Sequence, residues 1–269
     1  MRAERGLCSA AVRPVLHLLL GLPLMLGGCV RSSSESVTLT VFAAASLAES
    51  FRAIERAYEA EHPGVNIEIN VAGSQLLATQ LLEGANAQVF ASADKPQLDR
   101  VDVEFMLDSR REFASNRLVI VVPAGSAIED LFDLTEPGVR VVLAGESVPA
   151  GRYARQALQR VPVDSVDLLG AVERNVVSNE TDVREVVAKV RLGEADAGIV
   201  YATDVLGDAK LEARELPVGA EVRARYELAV IVENSRGPLR ATAIEFVDFV
   251  TSPAGQAILV DHGFGPPLP

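Results

Sequence analysis

The polar and apolar positions of this chain change period in a regular way. SVTLTVFA (36–43) alternates and is rich in β-branched residues, which predicts a strand. SLAESFRAIERAYEAEHPG follows, where Leu47, Phe51, Ile54 and Tyr58 share one helical face and Pro63-Gly64 stops the run. VNIEINVA then predicts a strand, SQLLATQLLEG a helix ending at Gly84, and AQVFASAD a third strand. The order β-α-β-α-β predicts a parallel sheet with helices on its faces.

The rhythm restarts at Arg117. RLVIVVP is a long apolar strand, VRVVLAG another, and VPAGRYARQALQRV a helix opened by Pro149. AVERNVVS predicts a strand, TDVREVVAKVRLGEA a helix, and DAGIVYAT a strand. A charge-rich loop leads to the apolar strand ARYELAVIVENS, and the chain closes with one amphipathic helix, PLRATAIEFVDFVTSPAGQAILVDHG. Two βα blocks joined by two apolar strands predict two α/β lobes with paired crossovers. One doubly wound sheet is the alternative. The lobes are expected over 37–116 with a return over 226–269, and over 117–225. The strands near Arg117 and Arg225 then form the hinge.

The first residues read as a separate piece. Arg2, Arg5 and Arg13 precede LHLLLGLPLMLGG, and the run ends at Cys29. A basic region, a short apolar core and small residues make a secretory signal over 1–28. Leu26-Gly27-Gly28-Cys29 resembles a bacterial lipobox, with Cys29 lipidated and residues 29–36 a polar tether; cleavage near an incidental cysteine is the alternative. Export follows either way, and lipidation adds anchoring to the cell membrane, facing the periplasm or the exterior. Cys8 leaves with the signal, so no internal disulfide is expected.

Composition narrows the function. The net charge is −12, or −14 after loss of three Arg and one Glu with the signal, which argues against nucleic-acid binding. Aromatic residues are 5% with no Trp, too few for a site built on stacked rings. No Walker motif is present, so this chain does not hydrolyse nucleotide to drive transport.

Four strand-to-helix junctions share small residues, hydroxyls and bare amides: VFAAAS to Ser46, VAGS to Ser74, LAGESVPAG to Ala150, and VVSNETDV to Val183. Ligands of open α/β sheets bind beyond the carboxyl ends of strands. Helix N-termini offer unpaired N–H groups and a partial positive charge, which suits an anion. The plain alternative is capping, for Ser46-Leu47-Ala48-Glu49 reads as a capping box and Ser74 as a cap of its own helix. Tyr201, ending GIVY, either adds a hydroxyl to the cleft or is a half-buried strand residue.

VFAAASLAESF, VAGSQLLATQLLEGANAQVFASAD, VPAGRYARQAL, TDVREVVAKV and GIVYATD, in this order, resemble the periplasmic molybdate-binding proteins of bacterial ABC importers, from about Val37 to the chain end. The resemblance implies the type II periplasmic-binding fold, two lobes around a hinge, holding molybdate or tungstate by hydrogen bonds alone. Residue by residue it implies ligand contacts at Ser46, Ser74, the Ala150 N–H, Val183 and Tyr201, with no cofactor and no free metal cation. At the second junction the family often carries a run of serines, where this chain has Gly73-Ser74-Gln75. A monomer is expected, delivering its ligand to a permease driven by a separate ATPase. A fully ionised oxyanion only accepts hydrogen bonds, so its pocket should hold donors, and Asp182 is expected to point outward.

Three rivals remain. Sulfate is a smaller dianion. An iron-binding relative of the fold would use neighbouring tyrosines, and Tyr58, Tyr153, Tyr201 and Tyr226 are nowhere adjacent in sequence. A serine hydrolase would need a base for Ser46 or Ser74; only His62 and His262 lie beyond the signal, and no G-x-S-x-G elbow occurs.

Overall fold

The computed structural model describes residues 36–161 and 167–269. The signal at 1–28, Cys29 and all but the last residue of the tether lie outside the described residues.

In the first lobe β1 (Val37–Ala44) is central, pairing in parallel with β2 (Val65–Ala72) on one side and β3 (Val89–Ser92) on the other. The crossovers are α1 (Ala48–Glu61) and α2 (Ser74–Leu82). Phe51, Ile54 and Tyr58 of α1 are fully buried, the face that the helical period predicts. In the second lobe β5 (Val141–Ala144) is central to β6 (Val176–Glu180) and β7 (Ala197–Tyr201), again parallel. Its helices are α4 (Pro149–Arg160), α5 (Leu168–Glu173) and α6 (Val183–Arg191).

Antiparallel strands join these two parallel cores. β4 (Leu107–Pro123) pairs with β9 (Arg223–Ile231) as far as Arg117, and from Leu118 onward with β7. The strand order is β2-β1-β3-β9-β4-β7-β5-β6. One strand thus carries the chain from one lobe to the other, and the change of partner falls at Arg117. Near its start a register shift puts Ser109 at φ 52, a bulge. Gly265 bridges to Ser115, which returns the chain end to β4.

The structure departs from the sequence pattern in five places. A short helix α3 (Lys95–Asp102) follows β3, with Asp94 accepting from Gln97 N–H and Pro96 in the first turn. The stretch Leu107–Asn116 is already strand, its polar residues hiding the alternation. The charge-rich loop contains β8 (Leu211–Glu215), an edge strand on β4. AVERNVVS is split, its first residues ending α5 and the rest entering β6. The closing helix is also divided, into α7 (Pro238–Thr251) and α8 (Pro253–Asp261), bent by 57°. Pro253 cannot continue the i→i−4 ladder, and Ser252 caps the new helix by accepting from Gly255 N–H.

A chain of edge-to-face rings crosses the core where the lobes meet. Phe51 meets Phe113 at 5.8 Å, Phe113 meets Tyr226 at 6.2 Å, and Tyr226 meets Tyr201 at 5.8 Å between ring centroids. Helix α1, strand β4, strand β9 and strand β7 are thereby tied behind the strand-to-helix junctions.

Candidate functional site

Ser46 occupies a 3-10 turn, Ala45–Leu47, between β1 and α1. Its hydroxyl lies 2.9 Å from the Tyr226 hydroxyl. The capping-box expectation therefore fails: α1 has no side-chain cap, and Glu49 pairs with Arg184 of α6 at 2.9 Å instead. The alanines before Ser46 are buried, and α6 of the other lobe packs against this turn. Larger side chains at Ala44 and Ala45 would hold that helix away.

Ser74 is the first residue of α2, and it does not cap that helix. Its hydroxyl oxygen accepts instead from the Ala93 N–H at 3.1 Å, just after β3. With an acceptor position filled from the backbone, its proton remains to be donated. Beside it, a Cβ on Gly73 would stand 2.6 Å from the Thr181 carbonyl oxygen of the opposite lobe. Gln75 Nε2 donates to the same oxygen at 2.7 Å. The second and fourth junctions are thus in contact.

Ala150 lies in the first turn of α4, 1% exposed, and its N–H has no partner among the described residues. Pro149 opens the helix, since its missing N–H costs nothing there. Gly151 seats the helix on the end of β5, for a Cβ would come within 2.2 Å of the Ala144 and Gly145 carbonyl oxygens. Val183 begins α6 and is 3% exposed. Asp182 accepts from the Arg184 and Glu185 N–H groups at 2.8 and 3.1 Å, so its carboxylate serves its own helix.

Tyr201 ends β7, 1% exposed, and its hydroxyl has no hydrogen-bond partner among the described residues. Burial raises its pKa well above the usual phenol value, with the neighbouring Tyr226 adding to the effect. Burial raises Tyr226 likewise. Both hydroxyls keep their protons at neutral pH and remain donors. The tyrosines separated in sequence are therefore neighbours in space, which sequence spacing did not reveal.

Direct cross-lobe contacts join the first and second junctions to the fourth, and the β3–α3 turn to the third. Besides Glu49–Arg184 and Gln75–Thr181, Gln97 Nε2 donates to the Ser147 carbonyl oxygen at 3.4 Å, and Asp94 pairs with Arg152. Asp94 escaped the sequence reading, as did the Ser46 partner of Tyr226 and the Asp94 partner of Arg152. For Asp94 the signal was present, since Asp-x-Pro after a strand marks a capped helix start.

A well-formed groove lies in a different space. It has a volume of about 870 Å³ and is lined by Ser46, Glu49, Arg52, Asp182, Arg184 and Asp204, among others. Of the five expected contact residues only Ser46 reaches it; Ser74, Ala150, Val183 and Tyr201 do not line it. Asp204 retains some exposure there, yet burial by the surrounding protein pushes its carboxyl up to about 7, against the backbone hydrogen bond from Tyr201. We take the seam of donors over the groove as the candidate site, because the groove mixes acceptor carboxylates with guanidinium groups. Neither candidate serine is bonded to a histidine: the Nδ1 atoms of His62 and His262 sit against the carbonyl oxygens of Tyr58 and Ile258.

Comparison with known proteins adds three findings. The sequence profile of the bacterial extracellular solute-binding protein family matches residues 39–265. The molybdate-binding protein ModA of Mycobacterium tuberculosis (strain ATCC 25618 / H37Rv) is 41% identical over 234 residues, 86% of this chain and 85% of its own. Among solved structures, the periplasmic molybdate-binding protein of Azotobacter vinelandii has a TM-score of 0.71 at 21% identity, covering 86% of this chain and 100% of that one. The sulfate-binding protein SubI of Mycobacterium tuberculosis H37Rv has a TM-score of 0.77 at 18% identity, over 86% and 87%. These two structural likenesses concern the fold.

Proposed function

The chain belongs to the bacterial extracellular solute-binding proteins, and from that premise we propose that it captures molybdate, or the isosteric tungstate, between its lobes and delivers it to an ABC permease. The observation that carries this reading is the buried Tyr201 hydroxyl without a partner, on the same seam as the unpartnered Ala150 N–H. A buried polar group without a partner costs about 1–3 kcal/mol. Two of them where two lobes close fit a guest that only accepts hydrogen bonds.

The proposed contacts are the hydroxyls of Ser46, Ser74 and Tyr201 and the N–H groups of Ala150 and Val183. The arrangement in the ModA relative's name and the donor chemistry agree on an oxyanion. Each hydrogen bond to a charged group is worth about 1.5–3 kcal/mol, and five suffice for the roughly 8–12 kcal/mol of a micromolar to nanomolar site. The helix starts at Ala150 and Val183 add their dipoles at short range. The net charge of −12 opposes the anion only weakly, since salt screens beyond about 8 Å.

Phosphate is disfavoured because it carries a proton at neutral pH and profits from an acceptor, and Asp182 is committed to capping α6. Sulfate is the second reading. It has the same charge, and the overall fold is shared with a sulfate-binding protein. Hydrolysis is disfavoured by the family and by serines that lack a base. Docking on a permease with a separate ATPase, anchoring through Cys29, and a monomeric state complete the proposal.

Calorimetric titration with molybdate, tungstate, sulfate and phosphate tests it. Molybdate and tungstate should bind at micromolar affinity or tighter and sulfate at least tenfold more weakly. Equal or tighter sulfate binding overturns the molybdate reading.

A further inference from the structure

The ion pair between Asp94 and Arg152 has no part in the donor set described above, yet it spans the two lobes. Asp94 is 0% exposed at the end of β3. Its Oδ1 accepts from Gln97 N–H at 3.2 Å and caps α3. Its Oδ2 is left for the Arg152 guanidinium, which arrives from the first turn of α4. A capping aspartate needs only one oxygen, so the second is not explained by its own lobe.

The neighbours give the pair its meaning. Ser74 accepts from the N–H of Ala93, the residue before Asp94. Ala150 stands two residues before Arg152, in the same helical turn. Gln97 and Ser147 make a parallel cross-lobe hydrogen bond alongside. One continuous path therefore runs from a first-lobe donor to a second-lobe donor: Ser74, Ala93, Asp94, Arg152, Ala150.

We propose that Asp94 and Arg152 form a closure latch: positioning residues that pair only when the lobes close, and that hold the Ser74 and Ala150 donors at their working separation. The inference rests on the molybdate reading above. Separation of the lobes returns both charges to water. Closure desolvates them together, and each then needs the other, because an unpaired buried charge costs far more than a pair. Pairing also cancels the Asp94 charge, which would otherwise repel a dianion. The latch acts chiefly on release, since a desolvated pair changes the off-rate more than the encounter.

The test compares wild type, Asp94→Asn, Arg152→Gln and the double variant by stopped-flow and calorimetry with molybdate. Asn retains the capping oxygen for α3, so the fold is preserved in that variant. Each single change should speed molybdate release by about 10- to 100-fold with association altered less than threefold. The double variant should release more slowly than the product of the two single effects predicts, because no lone charge remains. Wild-type release rates in both single variants, or fully multiplicative effects in the double, overturn the latch and leave the molybdate reading intact. A wild-type protein that does not bind molybdate overturns that reading instead. The latch is then read from the distance between spin labels on the two lobes, which must lengthen in both single variants; equal distances overturn it.

Discussion

The Ser46 hydroxyl stands 2.9 Å from that of Tyr226, across 180 positions of sequence. Tyr226 belongs to β9, the strand that pairs with β4 where β4 leaves the first lobe, and its ring lies against Tyr201 of the second. The proposed ligand contact at Ser46 is thereby fixed to the strand pair about which the lobes are joined.

Ser46→Ala removes this bond and a proposed donor together. Molybdate affinity should fall by about 1–3 kcal/mol, roughly 5- to 150-fold. Tyr226→Phe removes only the support and should cost less. Calorimetry on both variants checks the order, and wild-type affinity in Ser46→Ala contradicts a ligand role for the serine.

Tyr201→Phe separates binding from stability. The hydroxyl is buried without a partner, so its loss should leave the thermal midpoint of the ligand-free protein unchanged or higher. Molybdate affinity should fall by about tenfold or more. A lower midpoint with unchanged affinity would show a purely structural hydroxyl.

Much of this architecture was legible in the pattern of the chain. The helical face Phe51-Ile54-Tyr58 and the strand-to-helix junctions at Ser46, Ser74, Ala150 and Val183 stand where periodicity puts them. Local rules failed where tertiary partners decide. Ser46-Leu47-Ala48-Glu49 satisfies the capping-box pattern, but Tyr226 and Arg184 claim its two polar ends. The strand over Leu107–Asn116 is concealed by Ser109, Arg110 and Arg111, whose polar side chains sit around a bulge. The Asp94–Arg152 pair joins residues whose nearness exists only after both lobes have folded, so no spacing rule finds it.

Gly73→Ala should weaken binding more than stability. Gly73 has φ −57, which alanine adopts freely, so the substitution adds no backbone strain, and the Gln75 amide that the new Cβ would meet at 2.7 Å lies on a side chain able to turn away. The new Cβ would stand 2.6 Å from the Thr181 carbonyl oxygen across the seam. Full closure is then obstructed, and affinity should fall by about tenfold or more, as a clash of this kind costs roughly 1–3 kcal/mol. Urea melts and titration read the two effects separately.

Asp204 gives the fold a pH dependence. Its pKa rises from 3.8 unfolded to about 7 folded, chiefly by burial. Between those values the folded protein holds a proton that the unfolded chain has released. Stability therefore falls as pH rises through this window, and the loss is complete above about 7. Asp204→Asn retains an acceptor for the Tyr201 N–H and should flatten this slope. Chemical melts at a series of pH values check it; an unchanged slope contradicts the assignment.

The central claim is that uncharged donors from both lobes surround one dianion, and anomalous diffraction at the molybdenum edge from molybdate-soaked crystals tests it most directly. One peak should appear, enclosed by Ser46, Ser74, Ala150, Val183 and Tyr201. A peak in the groove beside Arg52 and Arg184 instead, with the seam empty, would contradict the account.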